Sequence, residues 1–187
     1  MRIYALLLLL AFAAQPAPAE VSEALTYRTY EVNHKPGQRL LDALNAASPI
    51  LQDGKIFHGH TEWRVTWRFW RAEQPDRTCS ITIVKTAASG SITLPQLAST
   101  DKNVLSQFAE YIAALRSHEL GHFKFGTDAA HEIERRISSL PGMASCSTLE
   151  SEANRVGYQT LEEFKSSENV YDETTQHGKS QGAWLPR

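Results

Sequence analysis

Residues 101 to 142 read DKNVLSQFAEYIAALRSHELGHFKFGTDAAHEIERRISSLPG, and this stretch decides the fold that the sequence predicts. Its apolar residues recur at gaps of three and four, from Val104 to Ile137. That spacing is typical of one long amphipathic helix, and Pro141-Gly142 would end it. The helix is therefore expected to bury one face along its whole length and to serve as the base for the rest of the domain.

The centre of this helix carries the motif H-E-x-x-H, formed by His118, Glu119 and His122. Histidines four residues apart on an α-helix lie on one face, about 6 Å apart along the axis, so that both imidazoles can bind one cation. Glu119 lies about 100° around the helix from His118 and can reach a water beside that cation without being a ligand. The motif predicts a zinc site in which the metal acidifies a water and Glu119 removes its proton. The alternative is a pair of surface histidines with an ion-pairing glutamate.

The first residues resemble an export signal. Met1-Arg2 is followed by an apolar run over residues 3–13, and small residues stand at Ala17 and Ala19. This order predicts a secretory signal peptide, residues 1–19, that is cleaved after Ala19. The remaining residues, 20–187, are predicted to form a single domain that is secreted or periplasmic. No other segment has the length of a membrane span, so no stable membrane insertion is expected.

Composition excludes several classes of protein. The chain has 187 residues with 19 Lys+Arg and 21 Asp+Glu, a net charge of −2, which does not fit a strongly basic nucleic-acid binder. A hydrophobic content of 42% does not fit a disordered chain. Two cysteines are too few for a four-cysteine zinc site. In an oxidising compartment, Cys79 and Cys146 are expected to form a disulfide instead.

Patterns elsewhere predict a small sheet and further helices. Alternating or β-branched residues predict strands over 25–32, 60–70, 79–84 and 91–94, and apolar spacing predicts helices over 37–47 and 147–166. Residues from 171 onward are predicted to be loop or tail. The expected fold is α+β: a small antiparallel sheet packed on the long helix and on a second helix.

A catalytic zinc site needs a third protein ligand. Asp128 follows His122 by six residues, but in an unbroken helix its side chain would point away from the two histidines. Glu150 and Glu152, on the second predicted helix, are further candidates. So is His177, because imidazole is a common zinc ligand and the adjacent Gly178 permits a close approach of the backbone.

H-E-x-x-H-F together with the later Y-D-x-x-T-x-H-G, residues 171–178, resembles a bacterial family of predicted secreted zinc-dependent proteases. Its domain was long classed as one of unknown function. The resemblance covers most of the chain after the signal peptide and implies a zincin-like metallopeptidase domain. It also implies that His177 is the third zinc ligand, that Tyr171 stabilises the transition state, and that Asp172 is a partner of a ligand.

These observations predict an exported zinc-dependent endopeptidase that acts on proteins or peptides, with Glu119 as general base. Residues 91–94 are expected to be an edge strand along which the peptide pairs. One alternative is an exported zinc-binding or assembly protein without catalysis. Another is a hydrolase of amide bonds in cell-wall stem peptides. The sequence predicts no oligomeric state.

Overall fold

The computed structural model of the chain describes residues 20–186, and the predicted signal peptide lies outside them. The described residues form five strands and three α-helices, which confirms the α+β class. The strands are β1 (Glu20–Asn33), β2 (Ile50–Gln52), β3 (Lys55–Phe57), β4 (His60–Glu73) and β5 (Cys79–Ala98). The helices are α1 (Leu40–Ala47), α2 (Lys102–Ser138) and α3 (Cys146–Thr175), followed by a 3₁₀ turn over Lys179–Gln181.

The main sheet has the strand order β1-β5-β4 and is mixed, whereas the sequence predicted an antiparallel one. β4 pairs antiparallel with β5, because only a short turn separates the two strands. β1 pairs parallel with β5, and the connection between them is long enough for that pairing, because it contains α1, the β2–β3 hairpin and β4.

The prediction that residues 91–94 form an edge strand is wrong. They belong to β5, the central strand, where Ile92 pairs with Tyr27 of β1 and with Thr61 of β4. Pro95 does not end this strand as expected. The last residue pair between β4 and β5 is His60 with Thr93, and Pro95 lies beyond it. At Pro95, β5 has only β1 beside it, so the missing N–H of proline is tolerated.

The second predicted helix is longer than its apolar pattern indicated. Ser145 caps α3 by accepting a hydrogen bond from the backbone N–H of Thr148, and the helix continues to Thr175. Tyr171 and Asp172 therefore lie on a helix and not in a tail. α3 packs against α2 and the sheet, which places its last turns beside the H-E-x-x-H motif.

Two apolar clusters hold these layers together. One joins β1, β5 and α1 to the first half of α2 and includes Val32, Leu44 and Leu115. The other joins β4 and β5 to the second half of α2 and to α3, with Ile133 and Ile137 fully buried. The motif lies on α2 between the two clusters, so both fix its position. Within residues 20–186, no helix combines the length and apolar character needed to cross a membrane.

The predicted disulfide is present and joins Cys79, at the start of β5, to Cys146, at the start of α3. It closes a loop with a sequence separation of 67 residues. Loop-closure entropy predicts that the double substitution Cys79→Ala/Cys146→Ala lowers the free energy of unfolding by about 4 kcal/mol. Denaturant unfolding measures this loss, and reduction should destabilise the wild type but not the variant. Equal stability of wild type and variant would contradict the prediction.

Candidate metal centre

Three side chains from two helices converge on one point. His118 and His122 lie one turn apart on α2, and Asp172 reaches them from the last part of α3. The Nε2 atoms of the two histidines are 3.2 Å apart. Oδ1 of Asp172 lies 3.2 Å from Nε2 of His118 and 3.1 Å from Nε2 of His122. Both histidines are buried, with 3% and 8% of their surface exposed. The three atoms form a nearly equilateral triangle.

The dimensions of this triangle would accommodate a small tetrahedral cation, of which zinc is an example. Zinc binds nitrogen and oxygen ligands at about 2.0–2.1 Å, and tetrahedral angles then place neighbouring ligand atoms about 3.3 Å apart. The three separations in the protein, 3.1 to 3.2 Å, are close to that value. A fourth tetrahedral position, away from the triangle, would be left without a ligand from this group.

The hydrogen bonds around the histidines direct their free nitrogens to the same point. Nδ1 of His118 lies 2.9 Å from Oε1 of Gln181, and Nδ1 of His122 lies 2.9 Å from Oε1 of Glu168. Both partners can accept, so a proton on each Nδ1 leaves the lone pair of Nε2 free in each imidazole when it is neutral. With both imidazoles neutral, Oδ1 of Asp172 is buried without a hydrogen-bond donor. In that state three electron pairs face one another, an arrangement that a cation would stabilise.

Without a metal ion, a proton on His122 can supply part of the missing positive charge. Burial disfavours the charged imidazole, but the carboxylates of Asp172 and Glu168 outweigh burial and raise the pKa of His122 to about 9. Burial also disfavours the charged form of Asp172. The two histidines outweigh that effect, so the pKa of Asp172 lies well below its usual value.

The metal-free protein should lose stability as the pH rises. His122 binds its proton more tightly in the folded state, so this stabilisation is complete below the ordinary pKa of 6.5 and is lost as the pH passes about 9. The loss should amount to at most about 3 kcal/mol. Denaturant unfolding at about pH 6 and about pH 9.5 measures it. This dependence of the free energy of unfolding on pH should disappear in His122→Ala. It should persist in His131→Gln, because His131 is an exposed histidine on the same helix. A flat profile in the wild type would contradict the expectation.

Glu119 lies beside the three ligand candidates and is held from the sheet side. Only 4% of its surface is exposed, and Oε2 accepts a 2.7 Å hydrogen bond from Oγ1 of Thr61. Gly59 lies against the carboxylate, and a Cβ at that position would overlap it. Burial raises the pKa of Glu119, although the hydrogen bond from Thr61 opposes this shift. Glu119 is therefore positioned and electrostatically prepared to accept a proton.

His177 lies at the edge of the group. Its Nδ1 is 3.3 Å from Oδ2 of Asp172, its ring packs edge-on against Phe57, and half of its side chain is exposed. The structure thus brings Asp172, which the resemblance placed as the partner of a ligand, to the two histidine nitrogens, and it places His177 behind Asp172. A direct bond from His177 to zinc stays a prediction.

Tyr171 packs on the ligands with its ring stacked 5.1 Å from that of His118. Its hydroxyl lies 3.2 Å from the carbonyl oxygen of His118 and 3.1 Å from Nε2 of Gln181. These contacts suit a residue that orients His118. The role of Tyr171 in the transition state stays a prediction.

The other candidate ligands form ion pairs elsewhere. Asp128 pairs with Lys124 at 2.6 Å, Glu150 with Arg71 at 2.9 Å, and Glu152 with Arg155 at 2.6 Å. None of the three is grouped with the two histidines among residues 20–186.

Sequence reasoning missed Thr61, Glu168 and Gln181. Glu168 stands four residues before Asp172, a spacing that places both on one face of a helix. That signal was present, but the predicted helix ended before it. Thr61 and Gln181 are far from the motif in sequence, and no local pattern connects them to it.

A cavity of about 780 Å³ opens over the cluster, and its lining includes His118, Glu119, His122, Asp172 and His177.

A family model described as "Bacterial protein of unknown function (DUF922)" matches residues 27–178 of the chain, a range that contains these five residues. Neither a curated protein nor a solved structure matches the chain.

Proposed function

The chain belongs to the DUF922 family of bacterial proteins of unknown function, and we propose that it is a zinc-dependent endopeptidase exported from the cytoplasm. The observation that carries the proposal is the convergence of His118, His122 and Asp172 beside the buried carboxylate of Glu119. Three ligands and an adjacent base are the components of a hydrolytic zinc site, whereas structural zinc sites have four protein ligands.

The ligand set would be His118, His122 and Asp172, with His177 supporting Asp172. Zinc bound there would supply a Lewis acid for the scissile carbonyl and would make a water acidic at neutral pH. Glu168 and Gln181 hold the histidines in the tautomer that ligation requires.

Glu119 would accept the proton of the attacking water and pass it to the leaving amine. The hydrogen bond from Thr61 and the close contact with Gly59 restrict the carboxylate to one orientation. Burial raises the pKa of Glu119, which makes the carboxylate a better acceptor for the proton of the attacking water. The open cavity gives a peptide access to this carboxylate.

Export is supported by two observations. The Cys79–Cys146 disulfide suits an oxidising compartment. The first nineteen residues have the order of a signal peptide, with cleavage proposed after Ala19.

The test combines metal analysis with a substrate panel. The purified exported chain is analysed for zinc and incubated with casein, with a mixed peptide library and with cell-wall stem-peptide fragments. We expect one zinc per chain and turnover of casein or peptides that a chelator removes and added zinc restores. Stoichiometric zinc without any turnover would favour the non-catalytic alternative. Turnover of cell-wall fragments alone would favour the stem-peptide hydrolase.

A further inference from the structure

We infer that the cavity contains a subsite for a large apolar side chain, so that the substrates are peptides with such a residue next to the scissile bond. The inference rests on the proposed function and extends it to a substrate class. The volume of the cavity, about 780 Å³, is within the range of about 300–1,000 Å³ that is typical of ligand sites.

The floor of the subsite is part of the hydrophobic core. Tyr111, Leu115 and Leu185 line the cavity and are buried, with 5% to 7% of their surface exposed. Leu41 and Ala183 also line it and pack against the same core cluster. One packed cluster supplies these five residues, so core packing holds this apolar part of the lining in place.

The rim of the subsite consists of two large apolar side chains that water reaches. Ile56, in the β2–β3 hairpin, is 49% exposed, and Trp184, near the end of the chain, is 52% exposed. The ammonium group of Lys179 lies 5.6 Å from the centre of the Trp184 ring and holds the indole by a cation–π contact. A ligand that covers Ile56 and Trp184 gains the free energy of removing both from water.

His58, a polar residue of this part of the cavity, does not favour a charged occupant. His58 lines the cavity and is half-buried, and this burial lowers its pKa to about 4, so it is neutral at physiological pH. It lies between Oδ1 of Asn45, 2.9 Å from Nε2, and the hydroxyl of Tyr111, 2.6 Å from Nδ1. These contacts use both ring nitrogens of His58, so the ring offers no free polar group to a substrate.

The subsite adjoins the proposed catalytic group. Leu115 precedes His118 by three residues and Glu119 by four, which on α2 places it one turn away on the same face. A peptide whose scissile bond lies at Glu119 would therefore place a neighbouring side chain over Leu115 and under the rim. A Leu or Phe side chain would fill that position, whereas Ser or Asp would leave the apolar floor in contact with water.

The test uses two peptides that differ only in Leu or Ser next to one scissile bond. The variants Ile56→Ala and Trp184→Ala remove the rim. Leu51→Ala and Trp70→Ala are matched controls, because Leu51 pairs with Ile56 in the same hairpin and both control residues are exposed but do not line the cavity. Steady-state turnover gives kcat/KM for each pair. Calorimetric titration of the same peptides into Glu119→Gln protein, with and without the rim variants, gives affinity independently of hydrolysis.

We expect the Leu peptide to exceed the Ser peptide by about tenfold to a hundredfold in affinity and in kcat/KM. The rim variants should lose most of this preference with little change for the Ser peptide, and the controls should keep it. Equal affinity of the two peptides, or a preference that survives both rim variants, would overturn the subsite. Selective binding without cleavage of any peptide would support the subsite and contradict the proposed endopeptidase.

Discussion

Replacing Glu119 by glutamine is expected to lower peptide turnover by about a hundredfold to ten-thousandfold while zinc content stays unchanged. Glu119 lies beside the ligand candidates but is not one of them, so its loss should remove proton transfer and leave metal binding intact. Glutamine has the same shape, and its amide oxygen can still accept the hydrogen bond from Thr61. Because Glu119 is a buried carboxyl with a raised pKa, a neutral amide in its place should not destabilise the fold.

Turnover, zinc content and melting temperature are measured on the same preparation. Glu110→Gln is the matched control, since Glu110 is exposed on the same helix and does not line the cavity. It should behave as the wild type in all three measurements. Turnover that survives Glu119→Gln would exclude Glu119 as the base. Loss of zinc together with turnover would instead show that Glu119 contributes to metal binding.

Asp172→Ala is expected to weaken zinc binding far more than His177→Ala. Asp172 contributes an oxygen at 3.1–3.2 Å from both histidine nitrogens, so its removal opens the ligand triangle. The contact of His177 with the cluster is through the second oxygen of Asp172, and the loss of such an outer partner typically costs about 10–100-fold in metal affinity. The zinc affinity of Asp172→Asn should lie between those of Asp172→Ala and His177→Ala, because asparagine keeps the shape of the side chain and removes its charge.

Competition with a chelator of known zinc affinity measures all three variants. Asp128→Ala is a suitable control, because Asp128 is an acidic residue whose ion pair is with Lys124 and not with the cluster. A larger loss in His177→Ala than in Asp172→Ala would assign the third ligand to His177, as the resemblance to the protease family implies. The folded fraction of each variant, followed by circular dichroism, separates lost ligation from lost structure.

The last turns of α3, which bring Asp172 to the two histidines, have no apolar signature in the sequence. Residues 166–175, SSENVYDETT, are mostly polar and carry no apolar period, so no apolar pattern predicts that α3 continues through them. These residues are helical because other parts of the protein pack against them. Nε1 of Trp63 donates to Glu168, and Glu168 in turn accepts from His122. A helix that is held by distant partners has no signature in its own segment.

The sequence by itself determined the long helix α2, the convergence of His118 and His122, and the position of Glu119 beside them. These follow from the 3.6-residue period, which depends only on residues close together in the chain. The tertiary structure decided the central place of β5, the parallel pairing of β1, and the arrival of Asp172, Thr61 and Gln181 at the site. Those contacts join residues that are far apart in sequence. Their formation depends on packing across the whole domain, which no local pattern records.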